Sequence, residues 1–259
     1  MLLEHKRAVI YGAGGDIGGA VARAFAREGA GLFLAGRTLT TLDAVARDIA
    51  AAGGAAETAQ VDALDEPSVA QYVADVAKKA GGIDVSFNAI GLEEVQGTPL
   101  IEMSLEAFSR PITIATSTQF LTAKAVAPYM ITQGSGVIMM ITATPARLAF
   151  PLVGGFGVAC AAMESLSRSL AAELGPKGVC VICLRSAGSP ESIAEALDVH
   201  AAGHRVTRDE FIAALKAMTL LKRLPSLADL GNVAVLMASD YAGSMTGTVA
   251  NLSCGQIVD

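Results

Sequence analysis

The chain has 259 residues, is 52% hydrophobic and contains 27 glycines, enough apolar material for one large α/β core. Its net charge is −6, its pI about 5.1, and it carries no basic run, so a phosphate-backbone partner is excluded. With 5% aromatic residues and no Trp it also lacks the stacking platforms of single-strand binders, and no nucleic-acid partner is expected.

Ala8-Val-Ile-Tyr11 is a short apolar run that ends at a glycine, the mark of a buried strand. A helix over about 17–29 follows, with Ile17, Val21, Ala24, Phe25 and Glu28 at helical spacing and Gly29 as its stop. Gly31–Ala35 is the second strand, 39–52 a helix ended by Gly53-Gly54, and 56–61 the third strand. Pro67 opens a helix that runs to about Ala80, and Ile83–Phe87 is the fourth strand. Long helices are predicted at 104–132 and 155–174, with the strand Val137–Ile141 between them. Then come a strand at Val179–Leu184, a helical insertion at 190–221, a helix at 226–239 and a last strand at 248–252. Alternation of this kind predicts a single doubly wound parallel sheet in three layers, one Rossmann-type domain over 1–259 with a lid-like insertion.

The uncharged stretches at 125–146 and 148–163 are interrupted by Pro128, Gly134, Gly136, Pro145, Pro151 and Gly154, so no membrane span is expected. The charged start, Met1–Arg7, reads as no signal peptide. Cys160, Cys180, Cys183 and Cys254 show no disulfide or zinc spacing, and Cys180 and Cys183 point to opposite faces of one strand. Reduced thiols and a cytoplasmic setting follow, with no metal expected.

Chemistry concentrates at the strand ends. Gly12, Gly14, Gly15 and Gly18 sit between the first strand and first helix, where glycine lets backbone approach a pyrophosphate and the helix N-terminus favours its charge. Asp16 and Ile17 complete this loop, with Asp16 a candidate helix cap. At the end of the second strand stand Arg37 and Thr38, where an acidic residue would favour NAD; a guanidinium suits a 2′-phosphate, which points to NADP(H).

Tyr11–Gly18 resembles the Thr-Gly-x-x-x-Gly-x-Gly loop of the short-chain dehydrogenase/reductase family, with Tyr11 for Thr and Asp16 for the middle Gly. Asp62-Ala63 matches the family's adenine contact, Asn88 and Ala89 match within its Asn-Asn-Ala-Gly turn while Phe87 and Ile90 depart from it, and 221–247 resembles its C-terminal segment, so the resemblance covers essentially the whole chain. It implies an oxidoreductase acting on a small-molecule ligand and forming a homodimer or homotetramer. It also implies an Asn-Ser-Tyr-Lys proton machinery. Carried over motif by motif, those four positions hold Ala115, Ala143, Phe156 and Cys160, so no catalytic residue is assigned. Ordinary ketone–alcohol interconversion is then expected to be weak or absent, since acid–base help is worth roughly 10²–10⁴-fold. A non-catalytic nucleotide-binding or partner protein, or an isomerase or lyase reusing the pocket, stands as the alternative.

Other residues near these positions have two readings each. Cys160 is read as a core thiol, and Thr142 and Thr144 either meet a ligand or finish their strand. His200 and His204, beside Asp198, are read as a solvent-exposed helical pair, and Glu164 as a surface or interface charge. Arg185 pairs either with an acidic ligand or with a carboxylate of the protein.

Overall fold

The computed structural model describes residues 1–258. Seven strands, β1 (Arg7–Tyr11), β2 (Gly31–Gly36), β3 (Ala56–Gln60), β4 (Val85–Asn88), β5 (Gly136–Ala143), β6 (Val179–Ser186) and β7 (Thr248–Leu252), form one sheet in the order 3-2-1-4-5-6-7. Every pairing is parallel, with Tyr11 in register with Ala35 on one side and Asn88 on the other.

The helices are α1 (Asp16–Arg27), α2 (Leu39–Ala51), α3 (Glu66–Ala80), α4 (Leu105–Gln133), α5 (Phe156–Leu174), α6 (Ala194–His204), α7 (Arg208–Ala217) and α8 (Leu227–Ala238). They cover both faces of the sheet, as the unbroken apolar runs of its strands require. Val21 and Phe25 of α1 with Leu230 and Val235 of α8 close one face. Val73 of α3 with Val126 and Met130 of α4 close the other. Along β6 the faces alternate: Val179, Val181 and Cys183 belong to the second core, Ile182 and Leu184 to the first.

Local chemistry sets the helix ends. Asp65 caps α3 through Ser68 N, with Pro67 in its first turn and Gly81 in the left-handed conformation after its end. Thr207 with Glu210 and Ser226 with Asp229 form reciprocal capping boxes on α7 and α8.

Two expectations are corrected. The fourth strand begins at Val85 rather than Ile83, because Ile83 exchanges backbone hydrogen bonds with the Gln133 amide and Asp84 turns to Arg7. Asp16 does not cap α1. It is the first helical residue, Gly15 is the N-cap, and the carboxylate instead complements the helix dipole. The 190–221 segment, where a helical insertion was expected, holds two helices, α6 and α7, divided where Arg205 takes a left-handed conformation. No helix among the described residues is long and apolar enough to cross a membrane.

Candidate functional site

The direction of winding reverses between β1 and β4, and there the loops leaving the strands' C-terminal ends diverge to leave a crevice. Gly12 N donates to Ala35 O at 2.9 Å and Ala89 N to Tyr11 O at 3.0 Å, which stitches the glycine loop to both neighbouring strands. Gly12 has φ +71°, and a Cβ there would stand 2.6 Å from Ala89 O; a Cβ on Gly18 would strike Gly12 O. At Gly12 and Gly18 the loop is thus a bare-backbone floor that no larger residue fits.

A cavity of about 200 Å³ opens on this floor, lined by Tyr11, Gly12, Gly15, Arg37, Asp62, Ala63, Ala89 and Ile90 among others. The hydroxyls of Tyr11 and Thr118, both lining this cavity, are buried without a hydrogen-bond partner. Tyr11 meets Tyr72 edge-on at 6.0 Å, and burial pushes both phenols above their usual range. Asn88 acts on its own chain: its amide donates to Thr122 Oγ1 at 3.1 Å and its carbonyl accepts from Ile90 N at 3.1 Å, which fixes the 88–90 turn. Asp62 likewise holds Leu64 N, and Thr38 is the N-cap of α2.

Arg37 lies at the rim and is engaged. Its guanidinium pairs with Glu93 at 2.9 Å, and Glu93 also pairs with Arg110. Hydrogen bonds from Arg110 and then Arg37 hold the Glu93 carboxyl below its ordinary range. Glu93 itself has φ +53° and lines both this cavity and one of about 550 Å³.

The crevice continues into a second cavity of about 220 Å³ that shares Ala89, Ile90 and Gly91 with the first. Ala143, Phe156 and Cys160 line it, and with Ala115 they belong to one apolar cluster with Leu92, Ile114, Ala159 and Met163. The four residues from distant parts of the chain are therefore brought together. None is ionised here: burial pushes the Cys160 thiol up to about 12, against a smaller opposing hydrogen bond with the Ala143 backbone. Cys160 is a core thiol rather than an activated nucleophile. The Ser189 hydroxyl, 1% exposed, lines this cavity without a partner.

Ala143, Phe156 and Glu94 are shared in turn with a third cavity of about 550 Å³, closed on the far side by α6 and α7. Thr144 contributes to its wall, whereas Thr142 lines the second cavity and donates to Glu164 Oε1 at 3.2 Å. Two readings of charge are corrected here. Glu164 is not a surface residue: its carboxylate takes Arg185 Nε at 2.7 Å and Nη2 at 2.8 Å, with the two side chains 6% and 3% exposed. Arg185 thus pairs with the protein's own carboxylate. His200 is not a solvent-exposed partner of His204. It is buried, bonds Gln96 Oε1 at 2.7 Å and stacks on Phe211, while His204 stacks on the same ring from outside the cavity.

Glu93, Glu94 and Gln96 were not singled out from sequence, although a Glu-Glu doublet directly after the Asn88–Gly91 turn was the available signal. Among the described residues no group of three or more His, Cys, Asp or Glu is placed to hold a metal ion.

Bare glycine floor, reversal crevice and unpartnered hydroxyls together define a Rossmann-type nucleotide-binding protein. The family model described as enoyl-(acyl carrier protein) reductase matches residues 12–256. An uncharacterised oxidoreductase of Mycobacterium tuberculosis is 30% identical over 254 residues, covering 98% of this chain and 92% of the relative. A gluconate 5-dehydrogenase of Gluconobacter oxydans is 28% identical over 98% of this chain and 95% of its own. A Beutenbergia cavernae structure described as an NAD(P)-dependent gluconate 5-dehydrogenase, with NADP bound at low occupancy, is similar at TM-score 0.87 and 29% identity, covering 98% of this chain and 97% of that one. An NAD+-bound xylitol dehydrogenase shares the fold at TM-score 0.91 and 23% identity, covering 98% of this chain and 100% of that one. The chain belongs to the short-chain dehydrogenase/reductase family of oxidoreductases.

Proposed function

We propose that the protein is an NADP(H)-binding oxidoreductase in which Ala115, Ala143, Phe156 and Cys160 stand where the family carries its Asn, Ser, Tyr and Lys. The observation that carries this reading is the continuous crevice, with a glycine floor at one end and an apolar cluster of those four residues at the other. Backbone of Gly12, Gly14, Gly15, Asp16, Ile17 and Gly18 would hold the pyrophosphate, Asp62 and Ala63 the adenine, and the Asn88–Ala89–Ile90 turn the adjoining ribose. Arg37 and Thr38 would meet a 2′-phosphate. A nicotinamide bound so would supply hydride. The chain's own residues surround the reacting carbon with apolar groups and offer it no proton, since a phenyl ring has none to give and burial holds the Cys160 proton. Exposed Phe120 on α4 and Val158 on α5 support pairing of these helices between copies.

Titration of the purified protein with NADPH and NADH tests the reading. NADPH is expected to bind more tightly, and Arg37→Ala to weaken NADPH about tenfold or more (~1.4 kcal/mol) while sparing NADH. Gly12→Ala is expected to abolish both. Binding of neither nucleotide to the wild type overturns the proposal. The alternative of a nucleotide-binding protein without turnover is favoured by the same loss of titratable groups; it gains if NADPH binds and no stereospecific transfer of its labelled hydrogen is ever found.

A further inference from the structure

The 550 Å³ cavity is apolar over most of its wall, through Phe150, Val153, Phe156, Leu197, Phe211 and Leu215. Its ionisable members are Glu93, Glu94, Glu195 and His200, and among the described residues no Lys or Arg lines it. The charges are not equivalent. Glu93 is neutralised by Arg37 and Arg110. His200, held below its ordinary range by burial, adds no positive charge near neutral pH. Glu195 stands exposed in the first turn of α6. Glu94 is half-buried, forms no ion pair among the described residues, and takes only a long 3.4 Å hydrogen bond from Gln96. It lines both this cavity and the one that holds Phe156 and Cys160. Ser189 and Gln256 line the second and third cavities, and their side-chain oxygens are buried with no hydrogen-bond partner among the described residues. A carboxylate without a counter-ion among the described residues, set among aromatic and aliphatic walls, suits a ligand that brings positive charge on an apolar body.

We propose that this cavity takes an apolar organic cation, an iminium substrate and its amine product, with Glu94 as counter-ion. The substrate class rests on the nicotinamide reading above and explains why a site without a proton donor can turn over. Hydride added to a ketone leaves an alkoxide that needs a proton. Hydride added to the carbon of a C=N⁺ group does not: the C–H bond of a reduced nicotinamide breaks, a C–H bond forms on the substrate carbon, and the C=N π pair moves onto nitrogen. The products are a neutral amine and an oxidised nicotinamide, balanced in charge with no proton moved. Carboxylate and phosphate substrates are disfavoured in the same cavity by Glu94 and Glu195.

The test compares N-methyl-3,4-dihydroisoquinolinium with 1-tetralone, a neutral ketone of similar size. Calorimetry without nucleotide is expected to show the cation binding at least about tenfold more tightly, and Glu94→Gln to remove most of that preference. Glu195→Gln is expected to cost a factor of about two, as an exposed charge does. With NADPH added, nucleotide is expected to be consumed at least about 10² times faster with the iminium than with the ketone. Equal binding of the two probes, or a preference untouched in a folded Glu94→Gln protein, overturns the cation site. Cation and NADPH both bound with no nucleotide consumed overturns the substrate class. Cation bound by a protein with no affinity for either nucleotide upholds the cation site and overturns the nicotinamide reading instead.

Discussion

The buried pair between Glu164 on α5 and Arg185 on β6 sets up a sharp test of what holds the floor of the site. The contact is bidentate at 2.7 and 2.8 Å, both side chains are almost fully buried, and Thr142 Oγ1 donates to the same carboxylate. Glu164→Ala takes a bidentate carboxylate away from a buried guanidinium, and losing one member of such a pair costs about 3–5 kcal/mol. For a chain of this size each kcal/mol moves the melting point by about 2–4 °C, so Tm should fall by roughly 6–20 °C. Replacing both charges, Glu164→Leu with Arg185→Met, removes the desolvation cost along with the attraction and should recover most of the loss. Guanidinium chloride unfolding followed by circular dichroism, with thermal melts beside it, measures both variants. A loss below about 1 kcal/mol for Glu164→Ala, or a double variant weaker than the single one, refutes the reasoning.

Restoring the proton machinery with Ala115→Asn, Ala143→Ser, Phe156→Tyr and Cys160→Lys together should raise generic ketone reduction by about 10²–10⁴-fold; a wild type already as active shows that the four positions were misread. Burial pushes both Cys160 and Cys183 up to about 12, so iodoacetamide near pH 8 should spare them and label only Cys180 and Cys254, read by mass spectrometry; rapid labelling of Cys160 contradicts its assignment as a core thiol. His200 is depressed by burial and then by His204, so its neutral form is favoured in the folded state. Its contribution is therefore complete above the unfolded value of about 6.5 and is lost as pH falls through the lower folded value, loosening α6 against α7. Titration of the His200 ring protons by NMR checks the sign, and a value raised above 6.5 contradicts it.

The architecture was legible because hydropathy reports burial and glycine reports turns. Every strand and helix was expected near its place, and the glycine loop fell at the reversal crevice. What hydropathy could not see was polar groups satisfied inside the protein. Thr142, Arg185 and Ser186 continue β5 and β6 beyond their apolar runs because a neighbouring strand or buried partner meets them. Glu164 looks like a surface charge in any local window, since its partner lies 21 residues away on another element. His200 looked exposed for the same reason: Gln96, which bonds it, is 104 residues distant. The Ala115, Ala143, Phe156 and Cys160 quartet was found by motif, and its convergence in one cluster depended on three separate elements folding together.

Glu93 is a wall of two rooms at once. Its carboxylate latches Arg37 at the rim of the nucleotide cavity, and the same residue forms part of the lining of the cavity of about 550 Å³. A phosphate that draws Arg37 away also frees the wall of the other room. A guest in that room that holds Glu93 in place tightens the latch. Guests that compete for Glu93 in this way would be thermodynamically linked, and reciprocity demands that each alter the other's affinity by the same factor.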